Sequence, residues 1–241
     1  MALAVGLPAV GADKPRLPGI KGEDDRQIVR SSAYPWSAIG RVNKTVGGFC
    51  TGTVVGRREV LTAAHCLWNR KTQDWILPSS LHFVAGYRQG EYVRHSRVID
   101  YRKSPAYGFR QKPNEQTAAT DWAILELAED VSETTGTLPL ATWTNERLAA
   151  AVGAGQPVVQ AGYGQDKAHI LTIHDGCRFL ALRLEGKLII HDCDAVKGDS
   201  GSPLLLKGAD GYVVVAIHVA TLSGGGREFG LAVPMSALSV R

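Results

Sequence analysis

Three short segments carry residue types that together can perform acyl transfer. Leu61-Thr62-Ala63-Ala64-His65-Cys66 sets an imidazole behind an apolar run, with small residues that let the backbone pass close beneath the ring. Thr120-Asp121-Trp122-Ala123-Ile124-Leu125 places a carboxylate at the head of an apolar strand. Gly198-Asp199-Ser200-Gly201-Ser202-Pro203 holds a hydroxyl between glycines, in a turn that projects it outward. The same turn aims the amides of Gly198 and Ser200 into one small space, where an oxyanion can sit. A serine hydroxyl is a poor nucleophile until a base takes its proton. That base needs a carboxylate to fix its tautomer. Each segment alone has an ordinary reading as a core histidine, a turn aspartate or a glycine loop. His65, Asp121 and Ser200 together name a base, its orienting carboxylate and a nucleophile.

The elements that must position them are short and β-rich. From Ser32 onward, runs of Val, Ile, Leu and Tyr alternate with Gly, Pro, Asn and Asp. Strands are expected at 37–42, 50–55, 60–64, 81–86, 92–101, 122–127, 157–164, 177–183, 187–192, 203–207, 212–219 and 228–234. Only 145–152 and the tail after Pro234 read as helical. Many short strands without alternating long helices indicate an all-β fold, and twelve exceed one small barrel. Two packed barrels, 28–135 and 136–241, are expected, with the boundary in the acidic stretch at 128–137.

Ahead of them, 2–12 is a short apolar run ending in Val10-Gly11-Ala12, a pattern suited to signal peptidase. Residues 1–12 are therefore read as a signal-peptide remnant and 13–27, rich in Pro, Gly, Lys and Asp, as a pro-segment or linker. No run of about 18 apolar residues occurs, which argues against a membrane-spanning helix. The 241 residues carry 27 Lys and Arg against 23 Asp and Glu, a net +4. The mean hides an asymmetry. Between Arg41 and Lys112 there are 13 bases and 4 acids, whereas 113–134 holds 6 acids and no base. The basic stretch lacks long Arg/Lys runs and aromatic interleaving, so nucleic acid is not an expected partner. The ordinary reading of this stretch is a solvated basic face; steering of acidic substrates is the sharper one.

On these motifs the chain resembles the trypsin/chymotrypsin-like serine endopeptidases. The resemblance runs from Tyr34-Pro35-Trp36 to Val233-Pro234. It includes Cys50-Thr51-Gly52-Thr53, Ala161-Gly162-Tyr163-Gly164 and Gly230-Leu231-Ala232-Val233. Gly201-Ser202-Pro203, Asp25-Arg26-Gln27 and Ile217-His218 are similar to the bacterial branch that includes glutamyl endopeptidases. The resemblance implies two six-stranded Greek-key barrels with the site in the cleft between them, a polypeptide substrate, no cofactor, a monomer, and secretion or a periplasmic location. It also implies a Cys50–Cys66 bridge. Cys177 and Cys193 do not match the usual second-barrel bridges. Their midpoint falls in Leu184-Glu185-Gly186-Lys187, a reasonable hairpin tip, so they would face each other across an antiparallel pair. A metal set drawn from His169, His174, Cys177, His191 and Cys193 is the alternative, although its spacing matches no standard zinc pattern.

Two specificity signals conflict. Asp194 lies six residues before Ser200, where trypsin-like enzymes place the acid that selects Arg or Lys. His218 lies where glutamyl enzymes place a histidine that binds the substrate carboxylate, but Ala195 stands where those enzymes often have Thr. Basic, acidic and other preferences all stay open. In zymogen-type relatives a new amino terminus pairs with the residue at Asp199; Leu17, Ile20 and Gln27 are candidate termini.

Overall fold

The computed structural model describes residues 17–108 and 114–238. The expected leader at 1–12 and the first part of the linker lie outside the described residues, as does the end of the tail. In chain order the strands are β1 (Gln27–Ile28), β2 (Ile39–Lys44), β3 (Phe49–Gly56), β4 (Glu59–Thr62), β5 (Trp68–Asn69), β6 (Asp74–Trp75), β7 (Leu81–Ala85), β8 (Arg94–Lys103), β9 (Ala123–Leu127), β10 (Pro157–Gly162), β11 (Thr172–Arg183), β12 (Leu188–His191), β13 (Pro203–Gly208), β14 (Gly211–Gly224) and β15 (Arg227–Pro234). Three short helices join them: α1 (Glu115–Ala118), α2 (Ser132–Thr135) and α3 (Asn145–Gly153).

Six strands close the first barrel in the order β2-β3-β4-β9-β8-β7. The second runs β11-β10-β13-β14-β15-β12 and closes where β12 pairs back with β11. Closure leaves no hydrogen-bonding edge to be covered. Inward side chains fill each barrel. Val42, Leu61, Phe83 and Leu125 pack in the first, and Val158, Phe179, Ile189, Leu204 and Val215 in the second. The first cluster continues through the seam between the barrels, by way of Ala161, Tyr163, Ile217 and Val233. Fully burying one such Leu or Phe contributes about 1.5–3 kcal/mol.

The fold departs from the sequence reading in several places. The chain crosses between barrels just past the acidic stretch: Leu138 N–H donates to Val54 O in the first barrel, and Leu140 bridges Val214 in the second. The 13–27 linker is not loose over its described part. Ile20 is buried, β1 pairs with β11, and Arg26 lies beneath the surface forked onto Asp24 and Asp166 at 2.8 and 2.7 Å. The buried guanidinium would otherwise be destabilised; these two carboxylates more than offset burial and hold its pKa above the usual value. Finally, β11 begins five residues before the expected 177, because its polar start is paired: Thr172 and Ile173 with both β1 and β10, His174 and Asp175 with β10. The segment after Pro234 forms a single 3-10 turn, Met235–Ala237.

Candidate active site

The first barrel supplies the candidate base, His65, and the candidate carboxylate, Asp121, from the ends of adjacent strands. β4 pairs with β9, and Thr62 lies opposite Ala123. Just past Thr62 the chain turns into a 3-10 helix, Ala64–Leu67, which carries His65. Just before Ala123, α1 ends. Its capping box, Asn114 with Thr117, fixes the start of the helix, and Asp121 N–H closes onto Ala118 O at 3.1 Å. The ladder therefore brings His65 and Asp121 together. One Asp121 oxygen accepts the His65 backbone N–H at 2.8 Å, and the other accepts ring Nδ1–H at 2.7 Å. Asp121 is buried. The Nδ1 bond leaves Nε2 as the proton acceptor facing the cleft.

The second barrel supplies the hydroxyl on the loop between β12 and β13. Gly198 and Gly201 have φ of +106° and +84°, the left-handed region that favours glycine. Neither the Gly198 N–H nor the Ser200 N–H has an intramolecular partner among the described residues, whereas the intervening Asp199 N–H turns back to Val196 O. Contacts from elsewhere clamp this turn. Thr51 N–H donates to Ser200 O at 2.9 Å and Thr51 Oγ1 to Gly198 O at 3.1 Å. His218 grips the other side: its carbonyl accepts Gly201 N–H and its amide donates to Ser202 O, both at 2.8 Å. The Cys66 sulfur lies 3.9 Å from both His65 Nε2 and Ser200 O, so His65 and the Ser200 turn share one cleft. A Ser200 Oγ–His65 hydrogen bond is not formed among the described residues; such bonds commonly tighten only when substrate is bound.

Asp199 points away from the cleft. It is fully buried, one oxygen accepting Val196 N–H at 2.8 Å and the other facing Gln160 and Ser202. Burial raises its pKa to about 6. No amine pairs with it among the described residues. Leu17, Ile20 and Gln27 lie inside folded chain: Ile20 N–H donates to Leu17 O, and Gln27 sits in β1.

Asp194 is engaged by the segment at 17–27. Its carboxylate is fully buried and accepts Lys21 N–H at 2.6 Å and Asp25 N–H at 3.1 Å, while His174 Nδ1 lies 3.5 Å away. Burial would raise its pKa, but His174 and these amides outweigh it and lower it. The residue is an anchor for the segment at 17–27. Ala195 is buried beside it, with its N–H on Gly19 O.

His218 is buried and joined to a second buried histidine, His191, at 3.1 Å. His191 Nδ1 accepts the Cys193 N–H, so its Nε2 carries a proton and donates to His218 Nδ1. His218 is left with a protonated Nε2 that has no partner among the described residues. Burial, reinforced by the charges of Lys21 and His65, lowers the His218 pKa to about 3, so the ring is neutral. Gly230 opposes His191 across the β12–β15 pair, and a Cβ there would collide with the imidazole. The Lys21 ammonium sits nearby, bonded to Gly19 O at 3.0 Å and Cys193 O at 2.5 Å.

Both disulfides form, Cys50–Cys66 and Cys177–Cys193. The second caps the β11–β12 hairpin, whose tip is Leu184–Gly186. Cys177 and Cys193 are bridged, so neither is available as a thiolate ligand.

The chain matches the family described as Trypsin over residues 24–239. It belongs to the trypsin family. Among curated proteins, this trypsin-family chain is similar to a glutamyl endopeptidase of Bacillus licheniformis. The two are 26% identical over 211 residues, covering 85% of this chain and 61% of that protein. It is also similar to Melanization protease 1 of Drosophila melanogaster, at 26% identity over 206 residues, 72% of this chain and 51% of that one. The chain thus spans roughly half to three-fifths of the length of these relatives. A solved Glu endopeptidase in complex with MPD shares the fold, with a TM-score of 0.73 at 20% identity over 90% of this chain and 94% of that one.

Sequence reasoning missed three residues at this site. Thr51 was read only as part of a matching motif, not as the clamp on the nucleophile turn. Lys21 was assigned to a linker. His191 was named only as a possible metal ligand; its two-residue spacing from Cys193, just past the end of β12, was the available signal.

Proposed function

We propose that this trypsin-family chain is a serine endopeptidase acting through His65, Asp121 and Ser200. The observation that carries the reading is the His65 ring, held by Asp121 through Nδ1 with Nε2 turned to the cleft that Ser200 shares. Ser200 Oγ attacks the scissile carbonyl as its proton passes to His65 Nε2. The Gly198 and Ser200 amides receive the oxyanion; removal of one such donor typically costs about 3 kcal/mol. His65 then protonates the leaving amine, leaving an acyl group on Ser200. A water that gives its proton to His65 hydrolyses this ester. Asp121 keeps the tautomer and stabilises the imidazolium throughout. No cofactor enters. Two disulfides support secretion or a periplasmic location.

The preferred residue before the scissile bond is acidic in this reading. A basic side chain would need a free carboxylate, and Asp194 is occupied by Lys21, Asp25 and His174. His218 Nε2–H offers a carboxylate a fixed donor, and the Lys21 ammonium supplies positive charge nearby. The similarity to a glutamyl endopeptidase points the same way. Cleavage profiling on a peptide library tests this. Cleavage after Glu and Asp is expected; cleavage after Lys and Arg, or indifferent to charge, contradicts it.

A further inference from the structure

The basic stretch of the sequence finds a place beside the nucleophile that the chemistry above does not use. A cleft of about 780 Å³ opens from Ser200, Gly198 and His65 across the Cys50–Cys66 bridge. Lys44, Arg70, Lys71 and Lys197 line it, together with Phe49, Trp68 and Ile76, and among the described residues no Asp or Glu does. Lys44, Lys71 and Lys197 form no ion pair among the described residues. Lys44 is only partly exposed, and burial, then the charges of Lys197 and Arg70, lower its pKa. Cations from three separate chain segments therefore face one another across a walled groove. Such an arrangement is unfavourable until an anion enters, and low-dielectric walls strengthen the field there.

The position gives the cleft its role. The other arm of the site is a separate cavity of about 390 Å³, bounded by Asp121, Val219, Ala220 and Leu222, next to the His218 that the proposed function assigns to the acyl half of the substrate. The basic cleft meets that cavity at His65 and Arg70 but reaches Ser200, Gly198 and the Cys50 side, and the leaving half is assigned to it.

We propose that this cleft recognises acidic residues on the leaving side of the scissile bond, so that acidic polypeptides are the favoured substrate class. Lys44, Lys71 and Lys197 determine this preference. The orientation rests on the endopeptidase reading; the charge recognition does not.

Binding tests it without turnover. Two fluorescein-labelled decapeptides share an acyl half and end in Ala-Glu-Asp-Glu or Ala-Gln-Asn-Gln. Anisotropy is measured on the Ser200→Ala protein. At 0.1 M salt the acidic peptide is expected to bind about tenfold tighter, the scale of a few partly exposed charge pairs. At 1 M salt, where the screening length falls to about 3 Å, the ratio should shrink toward one. A Lys44→Glu/Lys197→Glu protein with an unchanged circular dichroism spectrum should lose the preference and favour a peptide ending in Ala-Lys-Arg-Lys. Equal binding of acidic and neutral peptides, or a preference unmoved by the charge reversal, overturns the inference. Acidic preference in a protein that cleaves no library peptide would instead overturn the proposed activity and leave the cleft standing.

Discussion

Asp121 and Asp199 are both buried carboxylates beside the cleft, one from each barrel, and they are held in opposite ways. Asp121 has both oxygens filled by one partner residue, His65, on the 3-10 helix that follows β4. Asp199 has one oxygen on Val196 N–H and the other in a buried polar cluster with Gln160 and Ser202. The base pair is thus a local product of the β4–β9 ladder. The nucleophile turn is a composite, gripped by Thr51 from the first barrel, by the His218 backbone, and by the 17–27 segment through Asp194. The first barrel positions by adjacency; the second depends on distant parts of the chain.

Three substitutions sharpen that contrast. The largest effect belongs to Asp121→Asn, which keeps the shape but favours the wrong His65 tautomer. It should lower kcat by about 10⁴-fold while leaving the melting temperature within a few degrees. A loss below about tenfold would remove Asp121 from the mechanism.

Asp199→Asn acts through stability and pH. A carboxyl whose folded pKa is raised to about 6 contributes stability that is complete below its ordinary value of 3.8 and lost as pH rises through 6. The variant does not titrate there. Its stability relative to the parent should therefore rise between pH 4 and pH 7, by about 3 kcal/mol at most. Urea unfolding at both pH values measures it, and a flat difference would refute the burial account.

The smallest effect is expected for Arg26→Ala. It leaves Asp24 and Asp166 without their buried partner, costing about 2 kcal/mol, less than a fully enclosed pair because both carboxylates keep some solvent. Activity should fall with the stability of the nucleophile turn, while the downfield His65 Nδ1 proton signal stays in place. Loss of that signal would show that the two barrels are not separable in this way.

The same contrast explains what was legible in the sequence. The segments around His65, Asp121 and Ser200 are local, each readable from a handful of neighbours, and most strands followed from short apolar runs between turn residues. The β11–β12 hairpin was readable because Glu185-Gly186 marks its tip. Asp194 was misleading because its partners, the amides of Lys21 and Asp25, lie 173 and 169 residues away. Spacing from Ser200 places that carboxylate under the site but cannot say that a folded-back segment saturates it. Composition hid the packing of 17–27 for the same reason: its polar residues are buried in pairs, Arg26 with Asp24 and Asp166, which no local pattern announces. The orientation of the histidines required the register of β12 against β15.

The central claim is that Ser200 is a nucleophile activated by His65. Labelling the purified protein with a fluorophosphonate probe and mapping the adduct by mass spectrometry tests it most directly. One adduct on Ser200 is predicted, absent from the Ser200→Ala protein and strongly slowed in His65→Ala. No adduct on Ser200, or labelling there at an unchanged rate without His65, would contradict it.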